Sequence, residues 1–319
     1  MTIWIDYFKY NPIKPLLESG NEAVIYYTNC DLLNLPVESI DTLWTLKIPQ
    51  KILKKQQPDG SWIYPSKINW QTTDYNQLET YRQLGFLIQM FGFNNRHPAI
   101  EKTAEYFFSK QSKAGDFRGI YAAQYSPNYT AAITELLILA GYKDDPRIHR
   151  VFKWLLAVRQ NDGGWALPLR TRGRNLDAIN EHMTIEPDKS KLFSHLITGI
   201  VLRPFAAHPK YAQTQGAKKA GELLTSRFFQ NDVYTDLKSS SAWETFSYPF
   251  WNTDLISSLH VLTKLGFTKD NQQIQNAMSW LLEKQTLDGT LNIHKNHDRY
   301  HDQSLWLTLA FCRIIKILY

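Results

Sequence analysis

The sequence predicts an all-α fold in which two concentric layers of helices, five or six pairs along the chain, make an α/α toroid. Three observations carry that expectation. First, a glutamine-to-tryptophan punctuation recurs, with full copies at Gln57-Pro58-Asp59-Gly60-Ser61-Trp62 and Gln160-Asn161-Asp162-Gly163-Gly164-Trp165. Gln285, Asp288 and Gly289 repeat it with one residue inserted and Leu291 for Trp, Gln111, Gly115, Asp116 and Phe117 form a looser copy, and Gln230, Asp232 and Tyr234 a looser one still. The glutamines are 54, 49, 70 and 55 residues apart, and a period near fifty with a helix before each copy is an internal repeat. Second, Val151, Trp154, Leu155 and Val158 recur at helical spacing, and Gly163-Gly164 then stops that helix where a Cβ would clash. Third, helices that are apolar nearly all round alternate with helices that carry one apolar stripe, the pattern of a buried layer and a covering layer.

Residues 2–18 read as one or two short helices, interrupted by Asn11-Pro12 and Pro15 and ended by Gly20. A helix follows over 21–33, then one over 37–57 with a kink or break at Pro49, where the ring removes a backbone donor. The apolar helices are 73–91, 128–141, 189–207, 250–266 and 299–319; the amphipathic ones are 98–111, 145–160, 214–230 and 271–285. The repeat argues for one closed domain over residues 1–319, with a long inserted loop at 162–189 that explains the interval of 70. That loop carries Arg170, Arg172, Arg174, Glu181, His182, Glu186 and Asp188, and loops longer than a repeat requires are where function tends to sit.

Composition narrows the function classes. Of the 319 residues 43% are hydrophobic, enough for a sizeable core, and 13% are aromatic. No apolar run reaches the roughly 18 residues a spanning helix needs, and 1–12 contains no apolar stretch long enough for a signal peptide. The expected location is cytoplasmic, with room for peripheral contact with a membrane. A dispersed net charge of +6 suits anionic substrates, an acidic membrane surface or simply a solvated basic face. No basic stripe with interleaved aromatics suggests a nucleic-acid partner. Cys30 and Cys312 make neither a disulfide framework nor a zinc site, and read as reduced, buried thiols. No cofactor or metal is expected.

The Gln-to-Trp copies resemble the QW repeats of squalene–hopene and oxidosqualene cyclases, related to those of protein prenyltransferase β subunits. The helical pattern of about residues 37–319 shares in the resemblance. It implies an (α/α)6 barrel with a central apolar cavity for an isoprenoid chain. It also implies that the Gln and Trp are structural ties between the end of an outer helix and the start of an inner one. The family's catalytic signatures are largely missing. The Asp-x-Asp-Asp motif is absent: the one adjacent pair, Asp144-Asp145, has Tyr142 at the first position and reads as a helix cap. The Asp-rich magnesium motif is absent too, as is the Asp-x-Cys zinc element, because Thr28 and Ala310 stand two residues before the cysteines.

Candidates for chemistry therefore come from the residues themselves. Tyr248, Phe250 and Trp251 are expected to open the helix that carries Asp254 and His260; Tyr300, His301 and Asp302 open the last helix, ahead of Trp306. Each pairs a carboxylate with an indole three or four residues away on one helical face. A buried carboxyl holds its proton at neutral pH and can deliver it to an alkene, and aromatic faces stabilise the cation that results. Asp254 and Asp302 are thus the catalytic candidates, although Asp in a first helical turn is also favoured by capping and by the macrodipole. Tyr121, Tyr125 and Tyr129 lead into one inner helix, and Trp70, Tyr75 and Tyr81 surround the start of another. They read either as the lining of a polyene cavity or as packing between helix ends. With Tyr248, Trp251 and Trp306, residues Tyr81 and Tyr129 are the expected substrate contacts. Arg170 and Arg172, with Arg174, suit a mobile basic lid over a diphosphate, or plain solvation. Glu79 and Glu135 fall on inner helices, where an unpaired charge is costly. His297 and His301 have the spacing for two metal ligands only if a third converges.

The function expected is that of a terpene-cyclase-like or prenyl-binding enzyme, an isomerase or transferase, acting on a hydrophobic isoprenoid in a central aromatic cavity. A non-catalytic lipid- or protein-binding toroid, and a carbohydrate-active α/α barrel, are the alternatives.

Overall fold

A computed structural model describes residues 3–66, 73–181, 183–234, 240–292 and 302–319. Trp70, His182, His294, His297, Tyr300 and His301 lie outside the described residues. The α-helices are α1 (Ile13–Leu17), α2 (Glu22–Tyr27), α3 (Lys47–Leu53), α4 (Tyr75–Gly85), α5 (Pro98–Ser109), α6 (Pro127–Leu137) and α7 (Pro146–Ala157). Further on come α8 (Pro168–Thr171), α9 (His195–Ala207), α10 (Pro209–Ala212), α11 (Gln215–Thr225), α12 (Leu255–Lys264), α13 (Gln272–Glu283) and α14 (Gln303–Leu318). No strand forms among the described residues, only isolated bridges; the fold is all-α, as the periodicity predicts. The chain falls into two compact units, one of Met1–Ser39 with Gly221–Tyr319 (unit 1), the other of Ile40–Ala220 (unit 2).

In unit 2 the buried layer is α4, α6 and α9, with α4 against α6 and α6 against α9; α5 packs on α4 and α7 on α6. Every residue of α6 except Tyr129 is buried, whereas α7 buries only Ile148, Val151, Phe152, Trp154 and Leu155. In unit 1, α12 packs along α14, and α2 and the turn after it pack on α14 as well. The sequence pattern of all-round and one-sided helices is thus the packing pattern in each unit.

The punctuation turns show what the repeat does. Trp62 and Trp165 are buried, and each indole N–H donates 2.8 Å to a carbonyl ten residues earlier, Ile52 and Leu155. Their backbone N–H groups donate to threonine hydroxyls on the following buried helix, Thr80 and Thr198, both at 2.9 Å. Phe117 does the same to Thr130 (3.2 Å) and Leu291 to Thr308 (2.9 Å). A threonine one turn into each of these helices therefore completes the motif.

The register of the copies differs from the one read off the sequence. The turn hydrogen bond from Gln57 N–H to Ser61 O is matched by Ser112 to Asp116, Gln160 to Gly164 and Thr286 to Thr290. The equivalent glutamines are therefore Gln56, Gln111 and Gln285, one place earlier in the first copy than expected, with Arg159 in the third. The Nε2 of Gln56 donates to Ala99 O (2.8 Å) in the next covering helix, and Gln111 Nε2 to Arg147 O (2.9 Å). Gln285 pairs reciprocally with Tyr10, accepting its N–H at 2.9 Å and donating to its carbonyl at 2.6 Å. Glycine is required at the turn. A Cβ on Gly60 (φ +88) would sit 2.4 Å from the Lys102 carbonyl, and one on Gly289 (φ +94) 2.5 Å from Asn11 O.

Other boundaries also move. The buried helices start at His195, Leu255 and Gln303, later than the apolar runs suggested, because Ser194 and Asp254 cap the first two with their side chains. Pro49 lies within the first turn of α3, where a missing N–H has no intrahelical acceptor to lose, so it breaks nothing. Asp145 caps α7, accepting the Arg147 N–H at 2.8 Å. Both cysteines are free thiols, Cys312 buried and Cys30 half-buried.

Candidate functional site

Unit 2 assembles a wall of tyrosines. Tyr81 of α4 and Tyr129 of α6 meet edge to face at 5.9 Å, and Tyr121, on the loop ahead of α6, meets Tyr129 edge to face at 5.2 Å. Such pairs add about 1 kcal/mol each beyond area burial. Tyr121 and Tyr129 are half-buried, yet burial raises both phenol pKa values. Burial also pushes the Tyr81 phenol up to about 12, against the opposing pull of Arg203, whose side chain hydrogen-bonds to it. Arg203 on α9 and Glu135 on α6 are both buried, and Glu135 lies close enough to raise Tyr81 further. On α4, Glu79 accepts 2.5 Å from Gln83 Nε2 and stands 3.7 Å from Arg82 Nη1.

Unit 1 builds a second aromatic cluster. Gln303, the first residue of α14, holds the Tyr248 backbone reciprocally: Nε2 donates to its carbonyl (2.6 Å) and Oε1 accepts its N–H (2.8 Å). One turn on, Trp306 stacks under the Tyr248 ring, and Tyr27 meets Trp306 edge-on at 6.2 Å. Arg313 donates to Asp31 Oδ2 (2.8 Å from Nε), lies 4.8 Å over the Tyr27 ring and reaches the Tyr248 hydroxyl at 3.4 Å. Burial raises the Tyr27 phenol pKa well above its ordinary value, while Arg313 opposes the shift. Phe250 packs against Tyr248 at 5.1 Å and His260 at 5.3 Å.

The carboxylate–indole pairs do not form as helical faces. Residues Tyr248 to Thr253 precede α12, so Trp251 is not on the helix with Asp254; its N–H donates to Ser247 Oγ at 3.3 Å. Asp254 is the N-cap of α12 in a capping box with Ser257, which donates its N–H to Asp254 Oδ1 at 2.8 Å. Asp302 precedes α14 in a left-handed backbone conformation (φ +80), makes no side-chain cap, and accepts 3.1 Å from Asn21 Nδ2. The helical i, i+3 and i, i+4 geometry needs helical backbone at both ends, and here one end lacks it.

The three arginines of the long loop each have partners within it. Arg174 pairs with Glu181, Arg172 stands 3.8 Å from Asp188 and donates to Glu186 O at 3.1 Å, and Arg170 donates to Asn175 at 3.2 Å. Arg313, Asp31 and Arg203 were missed in the sequence because each lies far along the chain from its neighbours in space. No group of three or more His, Cys, Asp or Glu suited to a metal occurs among the described residues. No helix described there is long and apolar enough to cross a membrane.

Residues 79–172, which hold all three tyrosines of the unit 2 wall, match the squalene-hopene cyclase C-terminal domain family. Over that stretch the sequence is similar to squalene–hopene cyclases. A squalene–hopene cyclase of Bradyrhizobium diazoefficiens is 28% identical over 123 residues, a match that takes in 35% of this chain and 18% of that enzyme. The chain therefore spans under a fifth of that relative's length. Among solved structures, a protein from Actinoplanes is 16% identical with a TM-score of 0.42, over 88% of this chain and 87% of that one. The type II terpene cyclase MstE from Scytonema is 13% identical with a TM-score of 0.41, over 90% of this chain and 98% of that one.

Proposed function

We propose that this chain is a terpene-cyclase-like protein that holds a linear isoprenoid against the Tyr81–Tyr129–Tyr121 wall. One observation carries the reading: three phenols meet edge to face inside the stretch that matches the cyclase domain. Their rings offer a polarisable surface to a hydrocarbon, and their negative faces would stabilise a developing carbocation by about 1–2 kcal/mol each when desolvated. Their hydroxyls stay protonated at neutral pH, so the wall carries no competing anion. Asp254 and Asp302 are the proposed proton donors.

The test is incubation of the purified chain with squalene and with geranylgeranyl diphosphate, with products read by gas chromatography and mass spectrometry. Cyclised product that disappears in Asp302→Asn or Asp254→Asn supports both the function and the acid. Turnover retained in both variants removes the acid assignment and moves the test to buried Glu135. If the chain neither turns over these compounds nor binds geranylgeraniol, the isoprenoid reading is wrong.

A further inference from the structure

The hydrogen-bond register of the turns makes Lys284 the counterpart of Lys110. Asn292 N–H donates to Lys284 O at 2.8 Å, as Arg118 N–H donates to Lys110 O at 3.2 Å. Each lysine is the C-cap of a covering helix, α5 or α13, and lies over an aromatic ring four residues earlier. Lys110 Nζ is 5.4 Å from the Tyr106 centroid and Lys284 Nζ 4.6 Å from that of Trp280. Such a stack holds the long stem and leaves the ammonium at its end. The two differ in their counter-ion. Lys110 has Asp74 Oδ2 at 3.0 Å, whereas Lys284, also half-buried, forms no ion pair among the described residues.

Lys284 lines a groove of about 710 Å³ with the rest of 283–288, Asn292, Lys9 and Tyr10. The reciprocal bonds between Gln285 and the Tyr10 backbone hold these stretches together. Lys9 lies 5.4 Å over the Tyr10 ring and likewise forms no ion pair among the described residues. Two carboxylates also border the groove. Asp288 is committed to the turn: its Oδ1 accepts from the Thr286 hydroxyl, and from the Thr290 N–H and hydroxyl at 3.0 and 2.9 Å. Glu283 is exposed. Leu287, 83% exposed, and Tyr10 give the groove apolar surface. A cation partly withdrawn from water gains most from an anion that reaches it.

We propose that this groove binds a carboxylate carried on an apolar chain, with the ligand's head on Lys284 as Asp74 stands on Lys110, and its chain along Tyr10 and Leu287. Lys9 supplies a second cation for the head, and Glu283 opposes it as a like charge. Every residue of the site belongs to unit 1, and none to the tyrosine wall of unit 2.

The probe is octanoate, with acetate and 1-octanol as controls that lack the chain and the head. Lysines of the unaltered chain are acetylated with limiting N-hydroxysuccinimidyl acetate and read by peptide mass spectrometry, since an amine paired with a carboxylate stays protonated and unreactive. Octanoate is expected to slow acetylation of Lys284 about fivefold and that of Lys9 less, and to leave Lys110, already paired with Asp74, unchanged. Calorimetry should show octanoate binding weakened about tenfold in Lys284→Met, which keeps the stem, and strengthened in Glu283→Gln. Acetate that protects Lys284 as well as octanoate does overturns the apolar half of the site, and equal protection by octanol overturns the role of the carboxylate. Protection spread evenly over the lysines, or binding indifferent to Lys284→Met, overturns the groove as the site.

Discussion

The Tyr248 ring lies flat on Trp306, with centroids 5.3 Å apart and planes within 4° of parallel, while Gln303 clamps the Tyr248 backbone from the same helix. Ring and backbone are thus fixed by two residues three apart on α14. Trp306→Ala should destabilise unit 1 by about 3–5 kcal/mol, the usual range for an indole truncated in a core. Tyr248→Phe keeps the stack and loses the hydroxyl's 3.4 Å contact with Arg313, so it should lose about 1 kcal/mol, well under the cost of Trp306→Ala. Urea unfolding of both variants checks the ranking; equal losses would mean that the stack does not anchor the cluster.

The threonine ladder makes a second prediction. Trp165 N–H has Thr198 Oγ1 as its acceptor at 2.9 Å in a buried setting. Thr198→Val leaves that donor unpaired at about 1–3 kcal/mol, whereas Thr198→Ser keeps the hydroxyl and should lose less. Thermal melts of the two variants, run side by side, decide it.

Two glycines with similar backbone angles should respond differently. Gly60 (φ +88) has the Lys102 carbonyl 2.4 Å from where a Cβ would be, while Gly20 (φ +68) has nothing within 4 Å. Alanine at either position meets the left-handed penalty of roughly 1–2 kcal/mol. Only at Gly60 must two segments also move apart. Gly60→Ala should therefore unfold at clearly lower denaturant than Gly20→Ala.

Stability should fall on acidification through two histidine caps. His97 Nδ1 accepts the Ala99 N–H and His208 Nδ1 the Lys210 N–H, each at 3.2 Å. Burial lowers the pKa of both below the ordinary histidine value. The folded state therefore binds fewer protons than the unfolded one near pH 6. The caps contribute fully above about 6.5, the unfolded value, and are lost as pH falls through the folded values. His97→Asn and His208→Asn retain an acceptor that does not titrate, so each should flatten the fall in melting temperature between pH 7 and 5.

Much of this was legible in the sequence, and the failures share a cause. The turn motif, the alternation of buried and covering helices and the Asp145 cap all depend on residues within a few positions of one another, so spacing reveals them. The Gln56 register was missed because Gln56 and Gln57 are adjacent, and only their acceptors, Ala99 O for one and the local Lys55 O for the other, tell them apart. Asp254 was placed inside a helix because the apolar run begins earlier than the helix does. Its carboxylate closes the capping box four residues into that run. The Arg313–Asp31 pair and the Arg203–Tyr81 bond join positions more than a hundred residues apart, and no local pattern announces them.

The reciprocal bonds between Gln285 and Tyr10 span 275 positions, and that separation sets an order of events during synthesis. On the ribosome the stretch up to Ser39 emerges well before Gly221–Tyr319 is made and must wait in that interval with its apolar side uncovered. Unit 2 is continuous in sequence and can mature in the meantime. Nascent chains are thus expected to lean on chaperones for the stretch up to Ser39 more than for the continuous unit 2.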